Sequence, residues 1–151
     1  MEIRDIMTKN VDLVSPATTL AEAARIMRDD DVGAVPVADN DRLVGMLTDR
    51  DIVVRAIAEK RDPGRTEVRD AMSQKVLYCF DDQPVEDVAK NMGDKQIRRL
   101  PVVTRDKRLV GIVSLGDLST SGSAEQAGEA LEHISEPVHR LPRAAAETRR
   151  H

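Results

Sequence analysis

Two pairs of short apolar runs stand out along the chain, and each pair predicts two adjacent β-strands. The first pair covers residues 35–38 and 43–47, and the second covers 100–103 and 109–113. Short apolar runs bounded by charged residues are typical of strands joined by a tight turn. In the second pair the turn is the charged segment 105–108. The pattern therefore predicts a similar pair of strands in each half of the chain.

Helical spacing precedes each strand pair. Apolar residues recur at i, i+3, i+4 and i+7 in both halves, as Leu20, Ala23, Ala24 and Met27 and as Val85, Val88, Ala89 and Met92. Thr19 and Glu22 form a capping box at the first helix start, and Pro84 stands at the start of the second. An extended piece at 11–14 precedes the first helix, and a further helix is predicted from about Thr48 to Lys60.

The two halves are copies of one unit. Residues 2–7 match residues 67–72 at an interval of 65, and Pro36 matches Pro101 at the same interval. Asp51 matches Asp117 at an interval of 66, because the turn between the second pair of strands is one residue longer. A unit of this size is too small to bury much surface alone. We therefore expect two β-α-β-β-α units that pack sheet to sheet, share a core and form two related clefts between them.

The fold class predicted is α/β (α+β), and the repeat sets the domain boundaries. Repeat 1 spans 1–61, a turn-rich linker spans 62–66, and repeat 2 spans 67–122. The serine-rich segment 119–123 is expected to interrupt the last helix of repeat 2. A C-terminal helix is predicted at 123–137, because Ala127, Ala130, Leu131 and Ile134 form an apolar stripe that we expect to pack on the core. The Arg-rich residues 138–151 are interpreted as a frayed tail.

Composition argues against several classes of function. The net charge is −4 and the aromatic residues are Tyr78 and Phe80, which argues against nucleic-acid binding anywhere except in the Arg-rich tail. Cys79 lies in an apolar segment and is expected to be a buried small hydrophobic residue. No apolar run is long enough to cross a membrane, and residues 1–7 do not resemble a signal peptide. The default expectation is a cytoplasmic protein without a membrane partner.

Catalytic and metal-binding patterns are not found in the sequence. No Ser/His/Asp or Cys/His arrangement, Walker loop or dinucleotide-binding glycine motif occurs, so an enzyme is not expected. The three histidines have no convincing metal spacing, and no metal site or required cofactor is predicted; they are His133, His139 and His151.

Each repeat ends its second strand with a hydroxyl residue followed three residues later by aspartate. These motifs are Thr48 with Asp51 and Ser114 with Asp117. Such a pair is a capping box that fixes a strand-to-helix turn. It is also a candidate sugar-phosphate site, because aspartate accepts hydrogen bonds from sugar hydroxyls and the nearby Arg99 can bind phosphate. Arg98 and Arg99 could instead be solvated charges at a strand edge.

The order of these features resembles the cystathionine β-synthase (CBS) domain family. The resemblance rests on the repeated unit, the apolar-Pro-Val strand, the Leu-Val-Gly turn and the closing Thr/Ser-x-x-Asp, and it covers about residues 1–120. Two such domains in tandem resemble a Bateman module. The family binds adenosine-containing ligands between the repeats: AMP, ADP, ATP and sometimes S-adenosylmethionine.

The resemblance implies two ligand-binding clefts. In the first, which we call the Arg99 cleft, Asp117 would bind the ribose, Ser114 would lie near the ribose or phosphate, and Arg99 would hold phosphate. The remaining implied contacts of this cleft, to adenine, are Ile112, Val11, Val32 and the backbone near Leu13. In the second, the Asp51 cleft, the corresponding residues are Asp51, Thr48, Met46, Val76 and Ile97.

The two clefts differ at the position implied to bind phosphate. Ala34 and Gly33 in repeat 1 correspond to Arg99 and Arg98 in repeat 2. The Asp51 cleft therefore lacks the basic contact, and we predict that the Arg99 cleft binds nucleotide more tightly.

The resemblance implies a regulatory module that senses an adenosine nucleotide and modulates a separate, unidentified protein. It also implies a homodimer formed through the helices. The alternative is a structural or dimerisation protein that keeps the fold and binds no ligand, and the alanine at position 34 favours it to some degree.

Overall fold

The computed structural model describes residues 1–120, so the predicted helix at 123–137 and the tail at 138–151 lie outside the described residues. The predicted class and the repeated β-α-β-β-α order are confirmed. The chain is a mixture of helices and two small sheets, and each repeat contributes one sheet.

Both predicted strand pairs are antiparallel hairpins with the same irregularity. Strands β1 (Ala34–Asp39) and β2 (Arg42–Thr48) pair in repeat 1, and β4 (Arg99–Val103) and β5 (Leu109–Ser114) pair in repeat 2. The register shifts at Val37/Ala38 in the first hairpin and at Val102/Val103 in the second, 65 residues later. The sequence repeat is therefore also a repeat of backbone geometry.

The first strand of each unit is much reduced. In repeat 2 it is β3 (Cys79–Phe80), which runs parallel to β4. In repeat 1 the predicted extended piece at 11–14 contributes a single parallel bridge, between Val14 and Val37. Each hairpin thus has only a short third neighbour on one side.

The two long helices occur where the apolar spacing predicts them. Helix α1 spans Leu20–Asp30 and helix α3 spans Val85–Asp94. The hydroxyl of Thr19 accepts a hydrogen bond from the backbone N–H of Glu22 at 3.2 Å, which satisfies one of the unpaired amides at the helix start. All four predicted core positions of α3 are buried. Ala24 of α1 was expected on the apolar face but is exposed, because that face turns toward Met27 and the partly buried Ile26 instead.

The last helix of each unit begins directly after the hairpin. Helix α2 spans Asp49–Ile52 and continues as a π-helical turn over Val53–Ile57, so the helical segment ends three residues before the predicted Lys60. Helix α4 spans Leu115–Thr120. The expected interruption at 119–123 does not begin at residue 119, because α4 continues to Thr120; residues 121–123 lie outside the described part of the chain.

The segments that lead into each repeat pack against the opposite repeat. These leading segments, residues 2–7 and 67–72, contain the short 3-10 helices Ile3–Asp5 and Val68–Asp70. Ile3 is fully buried in the apolar cluster of repeat 2, and Val68 is fully buried in the cluster of repeat 1. The expectation of one shared core is therefore wrong. The structure has two cores, and each is completed by a segment from the other repeat.

Directly after each leading segment, the chain crosses a hairpin, and the two crossing points are equivalent. The backbones of Thr8 and Ile112 exchange two hydrogen bonds of 2.8 and 3.0 Å, and those of Ser73 and Met46 exchange two of 2.9 and 3.0 Å. A Cβ atom on Gly111 would lie 2.7 Å from the Thr8 carbonyl oxygen, too close for a normal contact. Glycine at this position therefore allows the two backbones to approach each other.

Across residues 1–120, none of the helices has the length and apolar character needed to cross a membrane.

Candidate functional site

A cavity of about 420 Å³ lies between the two repeats. This is within the range of volumes that small-molecule sites usually have. Six of the seven residues implied for the Arg99 cleft line it; from repeat 1 these are Val11 and Val32, and from repeat 2 they are Arg99, Ile112, Ser114 and Asp117. The structure therefore brings the residues of the predicted cleft together from both halves of the chain.

Leu13, the seventh residue, does not line this cavity. It lies in an adjoining groove of about 220 Å³, together with Asn10 and Val11, which line both spaces. Its side chain is 44% exposed. The chain between Val11 and Leu13 thus leaves the cavity wall one residue earlier than the resemblance implied.

Asp117 and Ser114 form a reciprocal cap at the start of α4. Oδ2 of Asp117 accepts a hydrogen bond from the backbone N–H of Ser114 at 2.9 Å, and Oγ of Ser114 accepts one from the N–H of Asp117 at 3.2 Å. Oδ1 of Asp117 accepts a hydrogen bond from the Thr8 hydroxyl of repeat 1 at 3.4 Å. The capping interpretation is correct, and it is compatible with a site. One carboxylate oxygen fixes the turn, and the other lies toward the opposite wall of the cavity.

Arg99 opens strand β4 and is directly opposite Ser114 in the register of the hairpin. Its side chain lines the cavity, which puts a guanidinium on the same wall as the Ser114 hydroxyl. The neighbouring Arg98 is also exposed, but it precedes the first residue of β4 and is not part of the cavity wall.

The Asp51 cleft has the same cap but a different environment. Oδ2 of Asp51 accepts from the N–H of Thr48 at 2.9 Å, and the Thr48 hydroxyl accepts from the N–H of Asp51 at 3.0 Å. Asp51 is only 8% exposed, and its Oδ1 is 4.0 Å from Nε of Arg55. Nη1 of Arg55 also donates to the carbonyl oxygens of Ala71 and Met72 at 3.2 and 3.4 Å. This carboxylate is therefore buried beside a cation of its own helix.

The other three residues implied for the Asp51 cleft lie on separate elements. Met46 is in β2, bonded through its backbone to Ser73, and Ile97 follows α3 and packs against the core of repeat 2. Val76 lines a groove of about 120 Å³ with Leu43 and Val44. That groove is equivalent by the repeat to the one that contains Leu13, since Leu109 and Val110 line the latter.

Four polar residues of the cavity were missed by the sequence analysis: Thr8, Asn10, Asp12 and Asp30. They flank Val11 and Val32 along the chain, and this proximity was the only signal that could have identified them. The pKa of Asp30 is raised above its ordinary value, first because its carboxyl group shares a hydrogen bond with Asp12. The cavity therefore has an acidic wall in repeat 1 opposite the Arg99 wall in repeat 2.

Cys79 is a core residue, as predicted. Its side chain is 3% exposed, and burial, with a smaller contribution from the charge of Asp81, raises the pKa of the thiol to about 12. Among residues 1–120, no group of three His, Cys, Asp or Glu side chains is placed to hold a metal ion.

Comparison with known proteins places this geometry in a family. The sequence pattern of the CBS domain matches residues 3–57 and 68–122, one match in each repeat. The chain is 46% identical over 134 residues to the CBS domain-containing protein YhcV of Bacillus subtilis, which covers 88% of this chain and 94% of that protein.

Two solved structures have the same arrangement. Hypoxic Response Protein I, known from Mycobacterium tuberculosis, was solved with two coordinated zinc ions; it superposes with a TM-score of 0.71 at 38% identity, over 80% of this chain and 98% of that one. CBSX2, a CBS-pair protein from Arabidopsis thaliana, was solved in complex with AMP; it superposes with a TM-score of 0.71 at 28% identity, over 83% of this chain and 98% of that one. With two matched domains that cover most of its length, the chain belongs to the CBS-domain family, as a tandem pair of the Bateman type.

Proposed function

We propose that the protein is a regulatory module that binds an adenosine nucleotide, AMP, ADP, ATP or a related adenosyl ligand, in the Arg99 cleft. The observation that carries the proposal is the 420 Å³ cavity whose walls come from both repeats. A ligand in that position contacts both halves at once, and its binding energy can therefore favour one relative arrangement of the halves over another. The AMP complex of the related CBSX2 supports the choice of ligand class.

Each wall of the cavity offers chemistry that suits one part of a nucleotide. Val11, Val32 and Ile112 are partly buried apolar side chains and provide a slot for a flat base. The Asp117 carboxylate accepts hydrogen bonds, which suits the adjacent hydroxyls of a ribose. Arg99 provides a forked set of N–H donors for phosphate.

The Asp51 cleft is proposed as the weaker site. Its carboxylate is buried against Arg55, and Ala34 stands where the other cleft has Arg99. A ligand there would have to compete with Arg55 for Asp51 and would find no guanidinium at the phosphate position.

The neighbouring arginines allow a matched test. Isothermal titration with AMP should show a loss of about ten- to a hundredfold for Arg99→Ala, because a hydrogen bond to a charged group is worth about 1.5–3 kcal/mol. Arg98→Ala removes the same charge one residue away but outside the cavity wall, and it should change affinity by less than about threefold. Equal losses in both variants would indicate general electrostatic attraction rather than a site at Arg99.

A comparison of the two aspartates tests the ranking of the clefts. Asp117→Asn should weaken AMP binding more than Asp51→Asn, and the reverse order would refute the ranking. The alternative function, a structural protein that binds no ligand, predicts no thermal shift with AMP, ADP, ATP or S-adenosylmethionine at millimolar concentration.

We also propose that two copies of this chain form a homodimer. Ligand binding to the dimer would then change the activity of a separate protein that it contacts. Analytical ultracentrifugation with and without AMP tests the assembly, and a monomer under both conditions would exclude it.

A further inference from the structure

The charges that line the Arg99 cleft do not suit a ligand with many negative charges. Among the residues that the structure describes, three carboxylates line the cavity, those of Asp12, Asp30 and Asp117, together with one guanidinium, that of Arg99. Asp117 is part of the cap of α4, but Asp12 and Asp30 have no such role in capping a described helix. Their position on the wall of a cavity between the repeats therefore bears on what the cavity accepts.

The acidic pair belongs to one cleft only. At an interval of 65 residues, Leu77 corresponds to Asp12 and Lys95 corresponds to Asp30. Both positions lie in segments that occur in each repeat, the chain before the long helix and the C-terminal end of that helix, and repeat 2 has no acidic residue at either one. The repeated pattern of the chain therefore does not require acidic residues there.

We propose that Asp12 and Asp30 set the charge selectivity of the Arg99 cleft, so that it favours adenosyl ligands with no more than one phosphate over nucleoside di- and triphosphates. This inference rests on the proposed function. Arg99 can offset part of the charge of one phosphate group, and each further phosphate adds negative charge that the acidic wall repels.

The dimensions of the cavity make this repulsion effective. A volume of 420 Å³ corresponds to a sphere about 9 Å across, which is close to the screening length of physiological salt, about 8 Å. Every phosphate of a bound ligand is therefore within reach of both carboxylates. Asp12 and Asp30 line the same cavity, and the side chain of Asp12 is the first cause of the raised pKa of Asp30, so the two carboxyl groups lie close together.

The test is a titration series with adenosine, AMP and ATP at pH 8 without divalent cations. The wild-type chain should bind AMP more tightly than ATP. Asp12→Asn and Asp30→Asn should each raise the affinity for ATP relative to AMP by about three- to tenfold, from the Coulomb energy of two extra ligand charges at a distance of roughly 8 Å in water. The affinity for uncharged adenosine should change by less than about twofold, and the effect should shrink in high salt.

Glu22→Gln is the matched control. It removes one negative charge from the same helix, but eight residues and about 12 Å from Asp30, outside the cavity. It should leave the ratio of ATP to AMP affinity unchanged. In an Asp117→Ala background, the ratio should no longer respond to Asp30→Asn, which assigns the effect to this cleft.

The possible results separate the two proposals. A wild-type preference for ATP, an unchanged ratio in the asparagine variants, or an equal effect of Glu22→Gln would overturn the selectivity while leaving nucleotide binding in place. If adenosine, AMP and ATP all fail to bind, the proposed function and the selectivity are both wrong.

Discussion

Replacement of Gly111 by alanine tests the crossing point at which the leading segment of repeat 1 meets the hairpin of repeat 2. The new Cβ atom would lie 2.7 Å from the Thr8 carbonyl oxygen and 2.9 Å from Sδ of Met7. The methionine side chain is flexible and can move away. The Thr8 carbonyl cannot do so without strain, because it accepts the 3.0 Å hydrogen bond from the N–H of Ile112.

The expected cost follows from these contacts. Overpacking of this kind costs about 1–3 kcal/mol. The lower entropy of alanine in the unfolded chain offsets about 0.4–1 kcal/mol of it. The net loss of stability is then at most about 2.6 kcal/mol, which lowers the melting temperature by up to about 10 °C for a chain of this size.

Gly64→Ala is the control for the change in unfolded-state entropy. The nearest atom to its new Cβ would be Oδ1 of Asp62 at 3.4 Å, which is an ordinary contact. This variant should be as stable as the wild type or slightly more stable. Thermal unfolding followed by circular dichroism measures both variants under identical conditions. A melting temperature of Gly111→Ala equal to or above that of Gly64→Ala would refute the close approach of the two backbones at Gly111.

The equivalent glycine of repeat 1 separates stability from binding. A Cβ atom on Gly45 would lie 2.9 Å from the Ser73 carbonyl oxygen, so Gly45→Ala should destabilise the chain to a similar degree. Thr8 lines the Arg99 cleft, whereas Ser73 does not. Gly111→Ala should therefore weaken AMP binding more than Gly45→Ala, and equal effects would contradict that difference.

Three further predictions concern stability. Ile3→Ala should destabilise the chain by about 2–5 kcal/mol in urea unfolding, because Ile3 is fully buried. Leu77→Ala, at a half-exposed site, should cost less than about 1 kcal/mol, and similar values for the two variants would contradict the exchange of leading segments. Thr19→Ala should cost about 1 kcal/mol through loss of the helix cap, and no change in melting temperature would refute that role. Because the folded thiol of Cys79 has its pKa raised to about 12, the unfolded chain loses this proton first, so stability should fall between about pH 9 and pH 12, by up to about 1.4 kcal/mol per pH unit. Cys79→Ala should remove this contribution, and an identical pH dependence in both proteins would refute it.

The fold could largely be predicted because the same pattern of apolar and polar residues occurs twice along the chain. A short apolar run such as 35–38 is ambiguous alone, but it recurs at 100–103, again with Pro-Val inside it and Leu-Val-Gly a few residues later, and this recurrence identifies it as a strand. The exchange of leading segments could not be predicted in the same way. Residues 2–7 and 67–72 have nearly the same sequence, so either could complete either core, and only the path of the chain decides which does.

The site was predictable to the extent that it is built from the repeated motifs. Ser114, Asp117 and Arg99 stand at positions marked by the hairpin and its cap, and the structure brings them to one cavity. Asp12 and Asp30 belong to neither of these repeated motifs. They lie on the irregular chain before α1 and at the end of α1, where an acidic residue is also what an ordinary solvated surface would contain.

The exchange of leading segments also bears on how such a chain could arise. Two separate copies of a single unit would make the same contacts around a two-fold axis if the first residues of each copy packed in the core of the other. An ancestral gene that encoded one unit could therefore have produced an obligate pair, and later fusion would have needed only a connector such as residues 62–66. It follows that a protease cut within that connector should leave two fragments that stay associated, since each holds part of the other's interior.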